Sequence, residues 1–226
     1  HYQLHAQLSV KQPQLPEQMQ QFGADAEQLQ IAVSADGQSQ PQLNALPLQI
    51  ALTSEGRTTL GLTGNAMLNL TPPISAQLQQ ATLSLKQPML NPAPDTKLGN
   101  MQLNSEFNAY WLADSWQVDV QQLTADIASL RAPDISGSNI KLSLNAGQFS
   151  GDSRFSQVKL LSDIRLSISE LAHPQLTPQS WQWQSKLSGE LNDLSLQGHI
   201  SNAASLGLTH QLRYQQGRLQ LNWQLD

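Results

Sequence analysis

The sequence predicts an all-β protein, a predominantly antiparallel meander of about a dozen strands. That meander forms either a curled sheet with an apolar groove or a sandwich. Three observations predict it. Period-two alternation of apolar and polar side chains recurs along most of the chain, which marks strands with one greasy and one wet face. Turn residues separate the alternating stretches at intervals of about 8–12 residues. The two apolar sets of the last hairpin also land on one face in a single register. With Gln216-Gly217 as the turn, glycine supplying the positive φ, Tyr214 faces Leu219, Leu212 faces Leu221, His210 faces Trp223 and Leu208 faces Leu225. A turn at Asn192-Asp193 does the same upstream. It pairs Leu191 with Leu194 and gathers Leu187, Leu191, Leu194, Leu196 and Ile200.

Taken in order, Tyr2 to Val10 alternates with Leu4, Ala6, Leu8 and Val10 on one face. Leu15, Met19, Phe22, Ala26 and Leu29 fall at helical spacing, and Pro16 with Glu17 suits a first turn, so one or two short helices are expected here. Strands resume at 29–33, 46–52 and 59–70. Pro72-Pro73 ends the last of these, because proline cannot donate to a ladder. Leu78, Leu83 and Leu85 mark the next strand. The prolines at 88, 92 and 94 then form the strongest break in the chain. They divide an N-terminal β segment, 1–90, from a C-terminal meander, 91–226, within what reads as one continuous β unit. Beyond the break, alternation marks strands at 101–103, 116–120, 123–127, 140–144 and 164–168, ahead of the closing meander.

Charged residues make up 13% of the 226, about half the usual share of ~25%, and 33 Gln and 38 Leu fill much of the chain. The net charge of −5, with basic residues scattered, leaves no electrostatic footprint for nucleic acid. The absence of cysteine excludes disulfides and thiolate chemistry. No apolar run reaches the ~18 residues of a membrane-spanning helix. The chain opens and closes in a strand pattern, so a fragment of a longer protein is expected.

The motifs carry little chemistry. No two of His1, His5, His173, His199 and His210 lie at metal-ligand spacing. His210 falls on the greasy face of its strand and His199 on the wet face. Carboxylates are isolated, and Gly151-Asp152-Ser153-Arg154 reads as a turn. No nucleophile elbow, phosphate loop or dinucleotide fingerprint occurs. The expectation is a protein without catalytic residues, cofactor or metal. Trp111, Trp116, Trp181, Trp183 and Trp223 could form sugar-stacking platforms, but Trp181 and Trp183 share parity with Leu187, which favours the greasy face.

The face chemistry as a whole holds the functional content: Leu, Ile and Val on one side, and Gln, Ser, Asn and Thr on the other. A sandwich would bury two such faces against each other. A curled sheet would leave the greasy face open for acyl chains. Alternation is identical in both.

Leu-x-Leu strands, a Gln/Ser/Asn-rich outer face and stretches such as Leu194-Ser195-Leu196-Gln197-Gly198-His199-Ile200-Ser201-Asn202 resemble the AsmA-like proteins of Gram-negative envelopes, which include the TamB and YdbH types. Leu103-Asn104-Ser105-Glu106-Phe107, Leu123-Thr124-Ala125-Asp126-Ile127 and Gly189-Glu190-Leu191-Asn192-Asp193-Leu194 look most like the YdbH type. The proline-rich break and the expected helix depart from that pattern, and type II secretion protein N is similar in style. The resemblance implies a periplasmic segment of an inner-membrane-anchored protein that carries phospholipid between the two membranes. Acyl chains would lie in a groove lined by Leu194, Leu196, Leu208, Leu212, Leu221, Trp223 and Leu225. An outer-membrane lipoprotein or other envelope protein would bind through an edge strand. Two other readings stand beside it: a scaffold or secretion-accessory β domain with a protein partner, and a carbohydrate-binding sandwich.

Overall fold

Each strand of the computed structural model hydrogen-bonds to the strands before and after it in sequence, which makes one antiparallel sheet in the order β1 to β13. The strands are β1 (Tyr2–Lys11), β2 (Gln28–Gly37), β3 (Gln42–Ser54), β4 (Arg57–Asn69), β5 (Ser75–Ala93), β6 (Thr96–Leu112), β7 (Ser115–Arg131), β8 (Ser136–Asp152), β9 (Lys159–His173), β10 (Leu176–Glu190), β11 (Asp193–Asn202), β12 (Gly207–Gln215) and β13 (Arg218–Leu225). The structure describes residues 2–13, 27–37, 42–54, 57–93, 95–154, 157–204 and 206–225. The helix expected around Pro16 to Phe22 lies outside them.

The meander is all-β and does not close on itself. Its surface shows the consequence. The chain exposes 14779 Å², where a compact monomer of 24.8 kDa would expose about 10,000 Å². Thirteen strands at ~4.8 Å spacing extend the sheet about 58 Å across its strands.

The last hairpin has the expected register, Leu208 to Leu225 through Tyr214 to Leu219, with Gly217 at φ 81°. The hairpin before it corrects the expectation. Glu190 pairs with Asp193, so Leu191 and Asn192 form the turn; Leu191 faces no Leu194 and is 49% exposed. Two short strands expected at 116–120 and 123–127 are one strand, β7, interrupted by a bulge at Gln121. The 90/91 division falls inside β5, which stays paired with β6 across it, Leu90 opposite Leu98 and Ala93 opposite Thr96.

The Gln121 bulge belongs to a line of them. Register shifts at Gln80 on β5, Gln121 on β7 and Ala146 on β8 fall side by side, with Gln80 and Ala146 at positive φ. Bulges bend a strand and increase its twist, so aligned bulges crease the sheet. Small residues line it on one side. Along it the apolar face carries Gly64, Ala81 (fully buried), Gly147 and Ser162 (1% exposed). A Cβ on Gly147 would meet Leu144, Phe149 and Val120 at 2.6–3.3 Å, and one on Gly64 would meet Leu78 and Ala81 at 2.8–3.3 Å. Along the crease the apolar face is therefore tightly packed. Its densest part is the cluster of Leu85, Leu90 and Met101, packed by Leu60, Leu98, Leu103 and Ile127.

Candidate functional site

Strict cross-strand pairing turns the alternation of single strands into rows that cross the sheet. One row is apolar in all thirteen strands: Val10, Leu29, Leu52, Leu60, Leu85, Leu103, Ala125, Leu142, Leu166, Trp183, Ile200, Leu208 and Leu225. Beside it runs a row from Leu8 through Ile31, Ile50, Leu62 and Leu83 to His210 and Trp223, with Ser105, Ser185 and Gly198 as small or polar members. A third row follows the crease from Ala6 to Leu187, Leu196, Leu212 and Leu221. A fourth joins Leu46, Ala66, Leu78, Ala109, Val118, Phe149, Leu160, Gly189, Leu194, Tyr214 and Leu219. Four rows about 6.7 Å apart make an apolar band roughly 20 Å wide.

All seven residues expected to line a groove sit on this face: Leu208 and Leu225 in the first row, Trp223 in the second, Leu196, Leu212 and Leu221 in the third, and Leu194 in the fourth. They occupy only strands β11–β13. The apolar rows continue through residues such as Leu52, Leu85 and Leu142, which carry the same alternation. Exposure is graded. Leu52 and Leu85 are buried, while Leu221, Trp223 and Leu225 on β13 are 56–60% exposed and Leu8 on β1 is 56% exposed. Each terminal strand is paired on one side only, and there the apolar band meets water.

The opposite face is polar in the same ordered way. One of its rows reads Ser84, Asn104, Thr124, Ser143, Arg165, Gln184, His199, Thr209 and Gln224 from β5 to β13. Recesses of about 940, 700 and 460 Å³ open on this polar side, the largest beside Arg165, Lys186, Gln211 and Asn222. His199 is on this face and His210 on the other, as their parity requires.

His210 is the one titratable group buried on the apolar face among the described residues, 8% exposed. Its Nε2 accepts the indole N–H of Trp183 at 3.2 Å and lies 3.0 Å from Ser185 Oγ. The Trp183 and His210 rings are tilted by 46°, with centroids 5.9 Å apart. The ring's Nδ1 is buried and makes no well-aligned hydrogen bond. Burial holds the His210 pKa below the ordinary histidine value; the Gly198 backbone opposes this in part, and His199 adds to it by repulsion. A second polar contact marks the hairpin end of β11. Arg213 grips Asp193 through Nε and Nη2 at 3.1 and 3.0 Å, which lowers the carboxyl pKa.

Trp116, Trp183 and Trp223 follow the apolar parity of their strands, and Trp116 donates its indole N–H to the Asp152 carbonyl at 2.9 Å. Among the described residues, no three His, Cys, Asp or Glu side chains converge as a metal site, and no helix is long and apolar enough to cross a membrane. No family model, curated protein or solved structure matches the chain.

Proposed function

We propose that the apolar face is a lipid-binding trough, and that this chain is a non-enzymatic periplasmic segment of an AsmA-like envelope protein. It conducts phospholipid acyl chains between the inner and outer membranes. The observation that carries the reading is the first row, apolar in all thirteen strands and exposed where it reaches β13. A band of this size is costly in water unless occupied. An acyl chain laid along it gains about 0.8 kcal/mol per buried methylene. Because no row is interrupted by a charge, a chain can move from strand to strand without crossing a large barrier, while its head group stays in water beyond the band.

A second reading is favoured by β13 itself. Leu219 to Leu225 has one unpaired edge and carries neither proline nor lysine, the usual protections against further strand pairing. An envelope protein that adds a strand there would extend the same rows.

Native mass spectrometry with organic extraction tests the first reading on protein purified without detergent. Near-stoichiometric phospholipid supports it. A clean ligand-free mass, unchanged after incubation with phospholipid vesicles, contradicts it.

A further inference from the structure

We propose that the polar face carries a separate binding site, a groove across β9–β13 that takes an acidic saccharide. Arg165 and Lys186 hold its carboxylate, and side-chain amides of β10–β13 hold its hydroxyls. The groove is on the opposite side of the sheet from the proposed lipid trough and does not depend on it.

The groove is the recess of about 940 Å³, near the upper end of the ~300–1,000 Å³ range of small-molecule sites. Its lining follows from the pairing. Two neighbouring polar rows run along it, one from Arg165 to Gln224 and one from Asp163 to Asn222. Across five strands spaced ~4.8 Å apart, it is about 19 Å long.

Charge is concentrated at one end. Arg165 on β9 pairs with Gln184, two residues before Lys186 on β10, so the two cations are diagonal neighbours about 7–8 Å apart. Arg165 faces Ser143 on one side and Gln184 on the other, neither of them a carboxylate. Lys186 is opposite Asp163, yet neither cation forms an ion pair with a described residue. The recess thus carries two cations and one carboxylate, in a chain of net charge −5. An arginine fork grips a carboxylate through two hydrogen bonds, and a nearby lysine adds a point charge.

Toward β13 the groove loses its charge and keeps its amides. The side chains of Gln184, Gln211, Asn222 and Gln224 make no hydrogen bond to a described residue. Each amide offers both donors and an acceptor, the combination that adjacent hydroxyls of a sugar ring require. Trp183 and Trp223 follow the apolar parity, which leaves no platform here for stacked bases. Two cations are also too few to track a phosphate backbone. A charged end with a hydroxyl-binding length matches an acidic saccharide.

Isothermal titration calorimetry on the full chain tests this with three probes: trigalacturonate, its fully methyl-esterified form, and acetate. The ester keeps the ring hydroxyls and loses the charge, whereas acetate keeps the charge alone. Trigalacturonate should bind saturably, the ester about 5- to 20-fold more weakly, and acetate not at all in the same concentration range. Arg165→Gln or Lys186→Gln should weaken trigalacturonate by about 5- to 20-fold and the ester by less than about 2-fold, which removes the preference between them. Gln211→Ala should weaken both saccharides by a similar factor of about 2 to 5. Leu221→Gln, on the apolar face, should change neither. No binding of trigalacturonate, or equal binding of acid and ester, overturns the proposal. Acetate bound as tightly as trigalacturonate would reduce the site to an anion contact and also overturn it. So would a loss in Leu221→Gln equal to that in Arg165→Gln. None of these results bears on lipid at the apolar face, which the mass spectrometry tests separately.

Discussion

Ser185 and His210 belong to strands that are not paired with each other, β10 and β12, yet their side chains meet at 3.0 Å over Gly198 of the strand between them. Glycine is required there. A Cβ at position 198 would lie 2.0 Å from the Gln184 carbonyl oxygen and 2.7 Å from Ser185 Cα, both backbone atoms that cannot step aside. Gly198→Ala should therefore destabilise the protein by about 1–3 kcal/mol, as overpacking does. Gly217→Ala meets nothing within 4 Å and has only its φ of 81° to contend with, for about 1–2 kcal/mol. Urea denaturation of both variants checks this, and loss of the His210 NMR contacts to Ser185 should accompany the first substitution alone.

The same histidine makes stability depend on pH. Its folded pKa lies below the ordinary value, so the unfolded chain binds the proton more readily. The contribution is fully present above the unfolded pKa of ~6.5 and is lost as pH falls below it toward the folded value. Protonation puts a hydrogen on Nε2, which then opposes the Trp183 indole N–H. Groups packed around the ring from β10 and β13 are the uncharged Trp183, Ser185 and Trp223, while His199 of β11 is on the far face. Melting temperature should fall between pH 7 and pH 5, with a change in tryptophan fluorescence. In His210→Phe the part of the slope due to this group should vanish.

Burial separates residues that hold the sheet from residues that would hold a ligand. Leu52 is 3% exposed in the first row, and Leu52→Ala should cost about 2–5 kcal/mol. Leu221 lies on the same face but is 56% exposed, so Leu221→Gln should change stability by no more than about 0.5 kcal/mol. Its expected effect is on lipid, as a severalfold weaker affinity in a fluorescent fatty-acid titration. Equal effects of the two substitutions on stability would contradict the gradient from centre to edge.

The crease depends on its own polar contact. Asn108 Oδ1 accepts the backbone N–H of Gln80, the bulged residue, at 2.8 Å. Asn108→Ala leaves that N–H without this partner and should cost about 1 kcal/mol. Hydrogen exchange should report faster exchange at Gln80 and little change in β11–β13.

Much of this was legible in the sequence, and the misses have local causes. Gln216-Gly217 announces its hairpin because glycine alone readily takes the required φ, so the pairing of Tyr214 with Leu219 follows. At the preceding hairpin Asn192-Asp193 looks like the turn, but Leu191 occupies it with Asn192, and an apolar turn residue gives no signal. Gln121 shifts the parity within β7, which breaks a period-two pattern and makes one strand read as two. Residues of the apolar face were readable as a class from their alternation. Which of them are exposed was not, because Leu52 and Leu221 obey the same pattern and differ only in how many strands flank them and where the sheet bends. His210 could be placed on the greasy face, but its bonds to Trp183 and Ser185 depend on a register that a single strand does not display.

Lipid held as proposed occupies the apolar face and leaves the polar face in water. Photo-crosslinking separates the two faces, with a benzophenone side chain placed singly at Leu212, Leu225, Gln211 or Gln224 and labelled phospholipid added in vesicles. Leu212 and Leu225 are on the apolar rows, and Gln211 and Gln224 are their neighbours on the other side of the same two strands. Lipid adducts are expected from positions 212 and 225 and none above background from 211 and 224. Equal labelling of both faces, or none from the apolar one, would contradict it.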